Sequence, residues 1–451
     1  MSNKTNTIIL SMKKRKITLV GVLSLLILCA TFLSCRSHSQ AETDSAFIRV
    51  KQGQFFRGGK PYYFIGTNFW YGAILGSEGC GGDRARLIRE LDMMKEKGIE
   101  NLRVLVGAEG LGGIPSRIEP TLQKYPGEYN DTIFEGLDFL LSEMGKREMT
   151  AVLYLTNSWG WSGGWSVYLK WAGLGEVPEP DVVGWTNYQS QVSRFLRNDS
   201  TKAMYARHVE KVVTRTNTIT GKRYIDDPAI FSWQLCNEPR PFGEISKPAF
   251  SEWVAATAAQ IKALDPNHMV SVGSEGKWGC DGDVPLCEKI HSDPNVDYLT
   301  FHLWPFNWSW INKETVIDSL NVALREAKAY MDMHVEMAHR LGKPAVMEEF
   351  GYPRDGFQFA KESPHTARDT FYAYVLGRVV QSAEEGDAFA GCNFWAWGGF
   401  ANPAHEMWLP GDDYTGDPAQ EQQGLNSVFA SDSSTVAVIS QACRQISQLK
   451  E

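Results

Sequence analysis

Two short motifs in this 451-residue chain could do acid–base chemistry. Asn237-Glu238-Pro239 follows the apolar run 230–236, and Glu348-Glu349-Phe350-Gly351 closes the apolar run 345–350. A carboxylic acid and a carboxylate facing each other suit hydrolysis of a glycosidic bond. One protonates the leaving oxygen, and the other attacks the sugar or activates water. A single strand-end Glu is as readily a structural ion pair. Two of them, the first preceded by an Asn amide, favour catalysis. Tryptophan is the second signal. The chain holds 15, and Trp70, Trp159, Trp161, Trp165, Trp278, Trp308, Trp310 and Trp397 fall at or just beyond the ends of apolar runs. Flat aromatic rings cover the C–H faces of sugars, so groove lining is expected of many of them and packing of the rest.

Positioning two carboxylates across a cleft requires a frame. Strand-like runs occupy 63–70, 101–106, 151–156, 230–236, 269–272, 298–303, 345–350 and 390–397. Amphipathic stretches separate most of them. In 83–97, Leu87, Leu91 and Met94 share one face, and Gly98 follows as the stop. In 133–147 the face is Leu137, Leu140, Leu141 and Met144. Further helices are expected at 187–214, 250–264, 314–341, 367–384 and 435–449. The stretch after the fifth run is short and Pro-broken, which predicts a weak helix. Residues 47–62 read as a hairpin turning at Gln52-Gly53, capping the barrel bottom. Eight strands alternating with helices predict an α/β fold, a (β/α)8 TIM barrel with extended top loops. A doubly wound sheet competes, but its nucleotide-binding versions need a Gly-rich turn after the first strand, which is missing. Catalytic groups of such barrels stand at C-terminal strand ends. Glu238 on the fourth strand and Glu349 on the seventh meet that condition.

Composition narrows the partners. At 43% hydrophobic and 22% charged residues, disorder as the main state is excluded. Five of the 45 Lys/Arg and none of the 53 Asp/Glu lie in the first 35 residues. The remainder carries 40 against 53, a net charge of −13. An acidic body argues against nucleic acid or an anionic membrane surface as the main partner. Lys13-Lys14-Arg15-Lys16 precede an uncharged stretch 17–33, the pattern of an export signal over 1–35. Phe32-Leu33-Ser34-Cys35 resembles a bacterial lipobox, which predicts a lipid anchor at Cys35, a polar tether over 36–46 and a bacterial outer-membrane lipoprotein at the cell surface or in the periplasm; simple cleavage nearby would instead leave a secreted protein. Cys280 and Cys287 flank a Gly/Asp/Pro loop that a disulfide could close, whereas Cys236 and Cys392 read as small buried residues. Cys280, Cys287 and His291 lack a second ligand pair at zinc spacing, so no metal is expected.

The ordered motifs resemble glycoside hydrolase family 5. The matching residues are Leu102-Arg103-Val104, Asn237-Glu238-Pro239, Phe301-His302-Leu303-Trp304-Pro305, Glu349-Phe350-Gly351 and Asn393-Phe394-Trp395. The likeness spans about 47–449, a single catalytic domain ending at 451. Gly66-Thr67-Asn68-Phe69-Trp70 and the stretch 302–308 look like the endo-β-1,4-mannanase branch. The resemblance implies a retaining endo-acting enzyme on mannan, glucomannan or galactomannan, monomeric and without a cofactor. It makes Glu238 the acid/base and Glu349 the nucleophile, the Glu before aromatic–Gly pointing inward. Strand alternation then turns Glu348 away. It places Arg103 as a fixed positive charge on Glu349, Asn237 on the sugar 2-OH, and His302 near the carboxyl pair. Where the family often carries a Tyr that bonds the nucleophile, this chain has Trp304, which can donate but not accept. Trp395 is the expected platform under the reacting ring. Trp70, Asn157 and Trp308 complete the expected substrate-binding set.

Three rivals carry features of their own. A β-1,4-glucanase differs only in the orientation of the 2-OH it accommodates. A non-catalytic glycan-binding protein would share the groove. An esterase is suggested by Gly160-Trp161-Ser162-Gly163-Gly164, a Gly-x-Ser-x-Gly pattern that needs a tight strand–Ser–helix turn. Several loop residues precede Ser162, and 165–175 is a poor helix start.

Overall fold

The computed structural model describes residues 46–114 and 116–449. The chain divides into two units, Met1–Phe47 with Arg57–Gly59, and Ile48–Phe56 with Lys60–Glu451. The leader, Cys35 and the tether up to residue 45 lie outside the described residues.

The second unit is built on eight parallel strands. They are β1 (Phe64–Asn68), β2 (Asn101–Leu105), β3 (Thr150–Tyr154) and β4 (Ile230–Gln234), followed by β5 (Met269–Ser271), β6 (Leu299–Leu303), β7 (Ala345–Phe350) and β8 (Phe389–Phe394). Every residue in them is buried, which is why each reads as an apolar run rather than an alternation. The ladder order β5-β4-β3-β2-β1-β8-β7-β6 brings both ends of the sheet together. β5 and β6 share no ladder, and single bonds join the seam. Asp297 N–H donates to Val270 O at 2.8 Å, Val270 N–H to Asp297 Oδ2 at 2.6 Å, and Ser274 N–H to Thr300 Oγ1 at 2.9 Å.

Helices α1 (Arg84–Lys97), α2 (Asp131–Lys146), α3 (Asp199–Val213), α4 (Lys247–Leu264), α5 (Val284–Ser292), α6 (Leu320–Leu341), α7 (Thr366–Glu385) and α8 (Ser433–Gln448) follow the strands in turn. Local chemistry sets their ends. The Asp83 side chain caps the first turn of α1, and Gly98 ends it at φ 84°. The single helix expected over 187–214 breaks at Ser193–Arg197, because the Asn198 side chain accepts from Thr201 N–H and starts α3 afresh. The weak helix expected after the fifth strand is a regular α5. Pro285 sits in its first turn, where no intrahelical N–H is needed, and Asp283 caps it. The hairpin of Arg49–Lys51 and Gln54–Arg57 turns at Gln52 and Gly53, both at positive φ. Its Phe55 packs edge-on against Phe231 and Tyr298 at 5.2 and 5.4 Å, plugging the barrel at the opposite end from the carboxylates.

Register shifts by one residue in the β3–β4, β6–β7 and β7–β8 ladders, and the shift between β6 and β7 bears on the carboxylates. Between β6 and β7, Phe301 pairs with Met347 but His302 pairs with Glu349, a one-residue bulge at Glu348. Both Glu348 and Glu349 therefore face the barrel interior, and the expectation that Glu348 turns away is corrected. Its carboxylate is fully buried and accepts from Gln234 Nε2 at 2.6 Å and Tyr298 OH at 3.2 Å.

Candidate active site

The β3–β4 pairing runs on past the strands. Asn237 N–H donates to Thr156 O at 2.8 Å and Ser158 N–H to Asn237 O at 3.1 Å. Glu238 then leaves the ladder at φ 48°. Its N–H donates to Gly273 O at 2.9 Å, and Ser158 Oγ donates to its carbonyl at 2.6 Å. These bonds hold the Glu238 carboxyl over the barrel mouth.

Its two oxygens are separately held. His302 Nδ1 lies 2.7 Å from Oε1, and Trp159 Nε1 donates to Oε2 at 2.5 Å. Glu349 arrives from β7. Arg103 Nη1 donates to its Oε1 at 2.5 Å and Trp304 Nε1 to its Oε2 at 3.2 Å. The same His302 Nδ1 is 3.3 Å from that oxygen. One ligand atom each of Glu238, His302 and Glu349 lies within 4.8 Å of the others. This is the one such convergent set among the described residues. A cation there would face the Arg103 guanidinium, already hydrogen-bonded to Glu349, so proton chemistry fits the set better than metal binding.

Charge follows from these contacts. Burial pulls the Glu349 carboxyl up, but the His302 and Arg103 charges outweigh it and hold it below the usual carboxylate range. Burial alone would lower His302. Glu349 foremost, and then Glu238, push it up to about 10. Arg103 is fixed on all sides, giving Nε to Gln234 Oε1 at 2.8 Å, Nη1 to Asn68 Oδ1 at 3.0 Å and Nη2 to Asn237 Oδ1 at 2.7 Å. Gln234 also donates to Glu348. The second carboxyl thus anchors the arginine from below.

Around this pair opens a cavity of about 540 Å³. Asn237, Trp304, Trp308 and Trp395 line it with the two glutamates, as expected. Trp304 donates directly to Glu349, so the tryptophan fills the bonding position as a donor. Trp395 donates its backbone N–H to Phe350 O at 2.8 Å, and its ring stands edge-to-face with Trp304 at 6.2 Å and Trp161 at 6.3 Å. Four expected residues lie beneath the surface. Arg103 and His302 act through the carboxylates. Asn157, fully buried, accepts Asn237 Nδ2 at 3.2 Å and Trp159 N–H at 3.0 Å, so it orients both rather than touching the cavity. Trp70 is a correction. It is 2% exposed, its indole N–H is on Gly416 O at 2.9 Å, and it packs against Trp161, Tyr71 and Tyr414. It supports the groove from behind.

Other strand-end tryptophans divide as expected between lining and packing. Trp165 is fully buried and stacked on Phe195 at 4.7 Å, and Trp397 is fully buried with its N–H on Glu90. A regular helix, Gly164–Trp171, does follow Ser162, against expectation. Yet Ser162 is 1% exposed, takes Asn157 Nδ2 at 3.1 Å and does not line the cavity, which removes the esterase reading. Cys236, Cys280, Cys287 and Cys392 are buried free thiols.

Several lining residues were not foreseen. Arg240 directly follows the Asn-Glu-Pro motif. It pairs with both oxygens of Glu275 and lies over the Trp159 ring, 5.3 Å from its centroid. Burial pushes the Glu275 carboxyl up to about 7 against the pull of Arg240. Glu421, beside Trp395 in the lining, is pushed well above its ordinary value by burial and then by Asp417, Glu349 and Glu238. Trp185 stands at the outer wall.

Residues 45–451 match the family described as GH family 5 beta-mannosidase-like. A putative mannan endo-1,4-beta-mannosidase 9 of Oryza sativa subsp. japonica is 30% identical over 97% of this chain and 98% of the relative. Mannan endo-1,4-beta-mannosidase 7 of Arabidopsis thaliana is 28% identical over 93% and 90%. The crystal structure of a glycoside hydrolase family 5 mannosidase from Rhizomucor miehei superposes with TM-score 0.83. It is 33% identical and covers 90% of this chain and 99% of that one. These curated relatives are plant mannanases and not bacterial outer-membrane lipoproteins, which overturns the expected localisation; export itself is untouched by this. Eight strands, a paired carboxyl site and a family match over nearly the whole chain agree: this chain is a glycoside hydrolase, a member of the β-mannosidase-like group of family 5.

Proposed function

We propose that the chain is an exported retaining endo-β-1,4-mannanase, cleaving internal bonds of mannan, glucomannan or galactomannan as a monomer. Residues 1–35 serve as the leader, 36–46 as a tether and 47–451 as the catalytic domain. The observation that carries the reading is a close carboxyl pair: one oxygen of Glu238 and one of Glu349 lie within 4.8 Å of each other, bridged by one histidine. Double displacement needs carboxyl groups about 5–5.5 Å apart, whereas inversion leaves room for a water at about 6.5–9.5 Å.

In the first step Glu349, kept ionised by His302 and Arg103, attacks the anomeric carbon. Glu238 gives its proton to the leaving oxygen. Once Glu349 is an ester, its negative charge is gone from beside Glu238, which then takes a proton from the incoming water. Asn237 keeps a second amide N–H beyond the one given to Asn157. That N–H can meet the sugar 2-OH, a contact that strengthens as the ring approaches an oxocarbenium ion. Trp395 covers the ring face. Mannan is preferred as substrate because of the relatives' named activities and because the Rhizomucor miehei mannosidase has been crystallised with mannosyl-fructose.

Product analysis on mannan, glucomannan and cellulose tests this. Rapid viscosity loss on mannan with release of short oligomers is expected. Activity on cellulose alone would move the chain to the glucanases, and no hydrolysis of any β-glycan would leave a binding protein.

A further inference from the structure

We propose that Trp185 is an aromatic platform for the leaving-group side of the substrate chain, one sugar ring beyond the acid/base. The inference rests on the glycosidase reading above and extends it to a distal subsite for a neutral β-1,4-linked pyranose. Trp185 is 56% exposed, yet it lines the same cavity as both catalytic carboxylates. A large apolar ring left open to solvent within a concave, polar-rimmed surface is the form a ligand contact takes.

Its surroundings are built rather than loose. Trp185 opens the helix Trp185–Val192, which starts from Gly184 at φ 79°. One turn on, Tyr188 donates its OH to Ser158 O at 3.2 Å, tying this helix to the loop that carries Trp159. Trp159 and Tyr188 stack nearly parallel at 6.2 Å. Trp185 meets both at steep angles, 82° at 5.9 Å and 74° at 5.8 Å, so neither forms a parallel stack on it.

Direction follows from the acid. Trp159 Nε1 is bonded to Glu238 Oε2, so a single ring separates Trp185 from the proton donor. Trp304 is bonded to Glu349, and Trp395 packs against Trp304. The proton donor faces the leaving oxygen, so the Trp159–Trp185 flank receives the leaving portion. Glu179, in the same lining, accepts from Arg117 Nη2 at 2.6 Å and Ser116 Oγ at 3.1 Å, so this side of the cavity carries polar groups as well as the ring.

The test compares Trp185→Ala and Trp185→Tyr with wild type in the full chain. Substrates are a β-1,4-mannan oligosaccharide series of increasing length and an aryl β-mannoside whose small leaving group ends short of Trp185. With Trp185→Ala, kcat/KM should fall about tenfold on chains long enough to reach the platform, chiefly through KM, and clearly less on the aryl mannoside. Trp185→Tyr should restore most of the loss. Equal losses on long and short substrates, or no loss on long ones, would overturn the platform. If wild type ignores the mannan series, the matching glucan series is used. A length-dependent loss there keeps the platform and rejects mannan, whereas inactivity on both series overturns the glycosidase reading and the platform with it.

Discussion

At the residue scale, adjacent glutamates have different work. Glu349 meets Arg103, His302 and Trp304, whereas Glu348 is sealed against Gln234 and Tyr298. Glu349→Ala should lower kcat roughly 10⁴-fold or more, as loss of a nucleophile does. Glu348→Ala should instead lower stability by about 1–3 kcal/mol for each polar partner left buried and unpaired, read by chemical denaturation. Equal activity losses without destabilisation would break that division. Arg103→Met removes the charge that opposes burial at Glu349. The carboxyl should rise, and because the ionised form is needed, the acid limb of the kcat/KM profile should move to higher pH. A kcat loss of about 10²–10³ should accompany it, and an unmoved limb would contradict the assignment. Glu238, Asn237 and the Glu348-Glu349 pair were legible from residue types at strand ends, whereas the choice of Glu349 over Glu348 and the place of Arg103 came from the family resemblance. Arg240 was missed although it adjoins the motif, because an arginine after Asn-Glu-Pro reads as solvated until its neighbours Glu275 and Trp159 are in place.

At the scale of elements, apolar runs located all eight strands because each is buried throughout. The bulge on β7 was not legible. Alternation assumes regular pairing, and nothing local in Met347-Glu348-Glu349 announces a register shift. Trp70 was misplaced for a related reason: a strand-end position does not say whether a later loop, here the one carrying Gly416 and Tyr414, will cover the ring. Trp185 lies far from any strand, so only the folding of 158–192 brings it to the cavity. The turn after β5 gives a prediction at this scale. Gly273 sits at φ +80°, and a Cβ there would fall 2.0 Å from Cys236 O, next to the carbonyl that takes Glu238 N–H. Gly273→Ala should cost about 1–3 kcal/mol for the backbone strain alone and should lower kcat by displacing Glu238. Unchanged thermal melting together with unchanged kcat would contradict this.

At the scale of the whole molecule, the site's charges enter the stability of the fold. His302 rises from 6.5 to about 10 on burial between two carboxylates. A group raised in the folded state contributes stability that is full below its unfolded value and is lost as pH climbs through the folded value. Melting curves of wild type minus His302→Gln should therefore shrink between about pH 6.5 and 10, and a constant difference would contradict a cationic His302. The tryptophan excess also resolves at this scale. Six of the 15 line one cavity, at Trp159, Trp161, Trp185, Trp304, Trp308 and Trp395, while Trp70 packs behind Trp161, and Trp165 and Trp397 are buried in the packing. The acidic body fits an uncharged polysaccharide. Double displacement by Glu349, with Glu238 as acid and then base, fixes the anomer that wild type first releases from a mannan oligosaccharide. Proton NMR within the first turnovers should show the β-anomer ahead of mutarotation, and initial release of the α-anomer would contradict the mechanism.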